Sequence, residues 1–214
     1  MVPPLATFDF TAFAREIYAD PERPVLGDEE QYLLPALYGG DLGDGEGSIK
    51  YAALVVFQNP LFTFTKERWK TPCTSPTEAI KRHRQIFFQW LTTKETELGE
   101  LVRELADSPS NAEDLFRRVY VTDIWKDAKD TRDVNNSKKH RLCRDYWRSK
   151  LKIEVATIAA ERVIFIGKEA RWGSAHVPNG TRQRSLVFPA WGKNRKIFTM
   201  EVRKLIADIR GGTF

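Results

Sequence analysis

The chain has 214 residues, 42% of them apolar and 29% charged. That is one domain or a small pair with enough apolar mass for a real core, which excludes an intrinsically disordered chain. The net charge of +5 suits an anionic partner such as nucleic acid, and the two cysteines, Cys73 and Cys143, exclude a disulfide framework and point to a reducing, cytoplasmic setting.

The amino-terminal stretch Met1–Ala6 lacks both a basic region and a long apolar run. Neither a signal peptide nor a membrane span is expected here or further along. Thr7–Ala19 carries Phe8, Phe10, Phe13, Ile17 and Tyr18 at helical spacing and ends at Asp20-Pro21. A second short helix is expected at Glu29–Tyr38. A Gly- and Asp-rich loop, Gly39–Ser48, follows. It precedes a strand and lacks a P-loop lysine, so it does not read as a phosphate cradle. Residues 1–48 therefore form a helical cap and loop on the main α/β unit, residues 49–214.

Tyr51-Ala-Ala-Leu-Val-Val-Phe57 is a continuous apolar run too short for a helix, the pattern of a strand buried on both faces. Pro60 turns Asn59 away from helical geometry, so the strand stops near Gln58-Asn59. These two amides are expected at the carboxyl end of a central strand, beyond which α/β sheets bind their ligands; the alternative is that Gln58-Asn59-Pro60 is only a turn. Thr77–Thr92 reads as an amphipathic helix with Ile80, Phe87, Phe88 and Leu91 inward and Lys81, Arg82 and Arg84 outward. Helix resumes over Leu98–Leu105. After a turn at Ser108–Asn111, Ser110 or Asn111 caps a short helix, Ala112–Arg117. Arg118–Ile124 is the second strand. The helical tract Ser137–Ala160 has Leu142, Tyr146, Leu151, Ile153, Val155 and Ile158 as candidate core positions. Arg162–Gly167 is the third strand, with a helix starting at Lys168–Trp172, and Ser185–Ala190 is the fourth. Lys193–Lys196 reads as a basic loop before the closing helix Thr199–Arg210.

This alternation predicts a three-layer α/β/α domain with a mostly parallel sheet of about four strands. The strand ends would gather Gln58, Asn59, Asp123, Lys126, Lys168, Trp191, Lys193 and Arg195 around one crevice, a set suited to a planar polar ligand carrying phosphate. The histidines and cysteines lack metal-ligand spacing, and no nucleophile elbow is present; no metal or cofactor is expected. Basic clusters at Lys81–Arg84, Arg117-Arg118, Lys138–Arg141 and Arg182–Arg195 are interleaved with Trp69, Trp125, Trp147, Trp172 and Trp191. Cations that neutralise phosphate and rings that stack on bases form the footprint of nucleic-acid binding; the alternative is a solvated basic surface with the tryptophans in the core.

The order of short motifs resembles the uracil-DNA glycosylase superfamily over residues 52–195. Val55–Pro60 resembles its first motif, a strand running into Gly-Gln-Asp-Pro or Gly-x-Asn-Pro. Val119–Lys126, Thr131-Arg132-Asp133, Cys143-Arg-Asp-Tyr146 and Val163–Gly167 follow the order of its bacterial and archaeal iron–sulfur branch, and Phe188-Pro189-Ala190 falls where the family has His-Pro-Ser or His-Pro-Ala. The resemblance implies a glycosylase-like fold, single- or double-stranded DNA as partner, and base flipping in DNA repair. Asn59 and Gln58 would be catalytic. Asp123, Phe62, Phe64 and Phe188 would hold the base, and Lys126, Trp191, Lys193 and Arg195 the DNA. Three departures stand out: Phe57 for a glycine, Asp123 for the asparagine that reads uracil, and Phe188 for the histidine that supports the leaving base. Only Cys143 of the cluster cysteines has a counterpart, so no iron–sulfur cluster is implied. The expectation is a monomeric glycosylase with a non-standard base preference; the alternative is an inactive nucleic-acid- or protein-binding module on the same fold.

Overall fold

A computed structural model describes residues 8–23, 39–40, 50–57, 75–93, 96–125, 137–187 and 193–214. Four strands, β1 (Ala53–Phe57), β2 (Val119–Asp123), β3 (Arg162–Ile166) and β4 (Arg182–Leu186), form one sheet in the order β2-β1-β3-β4. Every pairing is parallel. The described helices are α1 (Phe10–Ala19), α2 (Pro76–Thr93), α3 (Glu97–Leu105), α4 (Ala112–Arg118), α5 (Ser137–Thr157) and α6 (Lys193–Arg210), with a 3-10 helix at Ala170–His176.

β1 and β2 are buried along their whole length, as a strand sandwiched between helical layers must be. Period-two alternation divides the core. Ala53, Val55, Phe57, Val119, Val121, Ile164 and Ile166 pack with α2, α3, α4 and α6, whereas Leu54, Val56, Tyr120, Val163 and Phe165 pack with α1 and α5. The three-layer α/β/α architecture with four parallel strands is thus as the sequence pattern predicts. Among the described residues no helix is long and apolar enough to cross a membrane.

Helix boundaries follow local chemistry. Asp9 caps α1 by accepting from the Ala12 N–H at 2.9 Å, and Thr96 caps α3 by accepting from Gly99 at 3.1 Å. Asn111 caps α4, its Oδ1 accepting from the Asp114 N–H at 2.9 Å. The outer edge of β2 is met by Gly39, whose carbonyl accepts from the Val121 N–H at 3.2 Å. A Cβ on Gly39 would overlap the Phe10 ring, so only glycine lets the backbone come this close.

Several expectations are corrected. β4 lies at Arg182–Leu186, starting three residues before the expected Ser185–Ala190, because register with β3 aligns Arg182 with Arg162 and Leu186 with Ile166. As an edge strand it needs no apolar outer residues, and Arg182, Gln183 and Arg184 are exposed. Lys193–Lys196 is the first turn of α6, and the segment after β3 closes into the 3-10 helix. Leu142 and Ile153 face solvent at 57% and 42% exposure, so they are not core. Arg84 is buried: its guanidinium lies 5.5 Å from the Phe10 ring centre and 5.0 Å from that of Phe116. The helix 29–38, and nearly all of the Gly/Asp-rich loop, lie outside the described residues.

Candidate functional site

The strand register sets the geometry of the site. Asp123 pairs with Phe57, Phe57 with Ile166, and Ile166 with Leu186, so the four strands end on one level row. The chain leaves β1 toward β2 on one side, then crosses back past β1 to β3 on the other. This reversal makes the ends of β1 and β3 the topological switch point, where open parallel sheets hold ligands. Asp123 is the polar member of the row, and it is fully buried. Alternation directs its side chain to the face shared by Val119, Val121 and Phe57. Phe57 packs in the core, its ring centre 6.1 Å from that of Phe87.

The end of β2 is held by carboxylates from two other elements. The Tyr120 hydroxyl and Thr122 Oγ1 both donate to Oε1 of Glu154, at 2.8 and 2.9 Å, and Glu154 is fully buried. Burial first, and then the Glu154 charge, push the Tyr120 hydroxyl well above its ordinary pKa. Beyond Asp123 the Ile124 N–H donates to the Phe57 carbonyl at 2.8 Å, and the Trp125 indole N–H donates to Glu169 Oε2. On the far side, the Val187 N–H donates to Glu201 of α6 at 3.0 Å, tying the exit of β4 to that helix.

Of the residues assigned to the site from sequence, Asp123 is at the row's end and Arg195 is exposed in the first turn of α6, which starts at Lys193. Arg195 also acts on Glu97: that carboxyl lies below its ordinary range through its own backbone N–H, then Thr199 at 2.9 Å, then Arg195 and Arg203, with burial opposing. Gln58, Asn59, Phe62, Phe64, Lys126, Phe188 and Trp191 lie outside the described residues.

Of the two readings of the basic clusters, core tryptophans hold at positions 125 and 147. Trp125 and Trp147 are buried at 1% and 0% exposure and build the α1/α5 side of the core, so neither offers a face to a base. The Lys81–Arg84 cluster is divided likewise, with His83 and Arg84 inside. Trp172 is half-buried, with the Arg148 guanidinium 5.2 Å from its ring centre. Among the described residues no group of three or more histidines, cysteines and carboxylates lies together as a metal site.

Sequence reasoning missed Glu154 and Glu169, which hold the end of β2, and the burial of Arg84 in the core. For two of them a signal exists. Trp147, Leu151, Glu154 and Ile158 form one helical stripe, as do Ile80, Arg84, Phe87 and Leu91. A charged residue on an otherwise apolar stripe marks a buried polar contact. Compared with known proteins, the chain matches no protein-family model and no curated protein sequence.

Proposed function

We propose that the chain is a DNA-binding protein of the glycosylase type, which accepts a base turned out of the helix at the β1/β3 switch point and hydrolyses its N-glycosidic bond. The observation that carries the reading is a buried carboxylate, Asp123, level with the end of the central strand from which Gln58 and Asn59 follow in sequence. A base inside the duplex hides its glycosidic bond, so such chemistry requires extrusion, and an extruded base needs a polar reader of its edge. In this reading Asp123 takes donors on the base edge, and Phe62, Phe64 and Phe188 pack on its faces. Asn59, with Gln58, orients the water that attacks the sugar carbon as the bond to the base breaks. Lys126, Trp191, Lys193 and Arg195 hold the strand. The net charge of +5 favours the encounter.

One observation favours a second reading, a binding module without catalysis on the same fold. Phe57 stands where the resembling family has a glycine, and its side chain is fully buried against Phe87. The bulk of that ring leaves less freedom for the tight turn that glycine serves before the catalytic residues.

Duplex binding as a function of salt tests the shared part of both readings. Affinity falls steeply, with a log–log slope of about −0.9 per phosphate contact. Lys193→Ala with Arg195→Ala flattens the slope by roughly two contacts. An unchanged slope removes α6's first turn from the DNA path.

A further inference from the structure

The hydrogen bond between Trp125 and Glu169 joins segments that are not neighbours in the sheet. Trp125 lies two residues past the end of β2 and Glu169 three past the end of β3, while β1 runs between those strands. The two exits are therefore separated by two strand spacings, roughly 9.5 Å. An indole reaching from one side and a glutamate from the other close that gap, passing the end of β1 at the switch point. The bridge lies on the α1/α5 side, because Trp125 packs in that half of the core with Tyr120, Trp147 and Phe165. Asp123 belongs to the opposite face. The bridge and Asp123 thus lie on opposite sides of the sheet at the same strand ends.

The same β2 segment is anchored just before Asp123 by Glu154, through Tyr120 and Thr122. Contacts at residues 120, 122 and 125 leave the strand end little room to shift or rotate around Asp123. Holding a recognition group through locked neighbours is how a site keeps its geometry before the ligand arrives.

We infer that Trp125 and Glu169 are positioning residues of the crevice: their bridge across the end of β1 sets the separation of the β2 and β3 exits, and so the aperture and the orientation in which Asp123 meets a planar base. This rests on the functional reading above. Neither residue touches the base; both act through Asp123 and the strand ends.

The test uses two fluorescein-labelled duplexes, one with a single guanine opposite an abasic site and one fully paired. Guanine presents two adjacent donors that a carboxylate can take together. Wild type prefers the first duplex. Trp125→Phe, which keeps a ring and loses the donor, and Glu169→Leu each reduce that preference about tenfold or more. Neither changes affinity or salt slope on the paired duplex. Glu169→Gln keeps an acceptor oxygen and restores the preference, and the double variant Trp125→Phe/Glu169→Leu loses no more than either single one. Amide exchange at Ile124 and Gly167 rises in the two disrupting variants and is unchanged at Val55, whose place is mid-strand.

Parallel losses on both duplexes, additive losses in the double variant, or no loss in the preference overturns the inference while leaving the functional reading standing. A wild type that binds the two duplexes equally overturns the functional reading and the inference with it. If Trp125→Phe does not fold, the comparison of Glu169→Leu with Glu169→Gln decides alone, since that side chain is only half-buried.

Discussion

Replacing Glu154 by leucine removes the acceptor for two buried hydroxyls at once. Tyr120 and Thr122 are 0% and 3% exposed, so water does not take over the lost bonds. Losing a buried hydrogen bond whose donor stays behind costs about 1–3 kcal/mol, and two such losses give about 2–5 kcal/mol after partial relaxation. That is a large share of the whole stability of a domain this size. Glu154→Gln keeps one acceptor oxygen and costs about 1 kcal/mol. The triple change Glu154→Leu/Tyr120→Phe/Thr122→Val removes these two donors and their shared acceptor together and recovers part of the loss, as apolar replacement of buried polar groups does elsewhere. Urea unfolding with a common m-value gives each number. The raised Tyr120 pKa adds a signature at high pH. Its folded-state value exceeds its unfolded one, so the group contributes stability that is complete below about pH 10 and is lost as pH rises through the folded value. Tyr120→Phe flattens the stability profile above that pH. A Glu154→Leu variant within about 0.5 kcal/mol of wild type, or a triple variant no more stable than it, refutes the reasoning.

Asp107 follows α3 at φ +52°, where its N–H bonds the Glu104 carbonyl and the Ser108 N–H bonds the Arg103 carbonyl, the hydrogen-bond pattern of a Schellman turn whose left-handed residue is usually glycine. Asp107→Gly relieves that strain and stabilises by about 1 kcal/mol in thermal or urea unfolding; its ion pair to Arg118 involves a side chain 95% exposed and offsets little. Asp20 accepts from the Tyr146 hydroxyl at 2.7 Å, and that bond is the first cause holding its carboxyl below the ordinary range, ahead of the Glu22 N–H. In Tyr146→Phe the Asp20 titration followed by carboxyl NMR moves up toward the ordinary value. Because a depressed folded pKa contributes stability above the unfolded value and loses it as pH falls, the acid limb of the stability curve becomes shallower in that variant.

What was legible in the sequence was whatever rests on runs and periods. Val55-Val56 inside an unbroken apolar run reads as a two-sided buried strand, and a cap at Ser110 or Asn111 before Ala112 is legible, with Asn111 the one that forms it. Parallel order followed from strands separated by helices. Side-chain fate was harder where charge and burial disagree. Arg84 looked like a solvent residue by its chemistry, yet it sits on the same stripe as Ile80 and Phe87, and the rings of Phe10 and Phe116 take up its guanidinium. Leu142 looked like core by its chemistry, yet Cys143 and Trp147 already fill that face of α5. β4 was misplaced because an edge strand is defined by pairing, and pairing with β3 is not written into the polar residues Arg182–Arg184. At the crevice, Asp123 was visible as a strand-end residue, but the hold of Glu154 and Glu169 on its strand joins positions 32 and 44 apart in the chain.

The central claim is that Asp123 reads the edge of an extruded base ahead of hydrolysis. Alkali-dependent strand cleavage over a panel of modified and mispaired bases, comparing wild type with Asp123→Asn near neutral pH, tests it most directly. A carboxylate only accepts, so in that form Asp123 matches two adjacent donors and meets the O4 acceptor of uracil with repulsion. Wild type should release a base with a guanine-type edge and act weakly or not at all on uracil. Asp123→Asn should raise uracil recognition about ten- to a hundredfold, and adding Phe188→His, which restores a donor to the leaving base, should raise it further. Brisk uracil release by wild type with no gain in Asp123→Asn contradicts the account, as does a wild type that cleaves no base in the panel and binds every duplex alike.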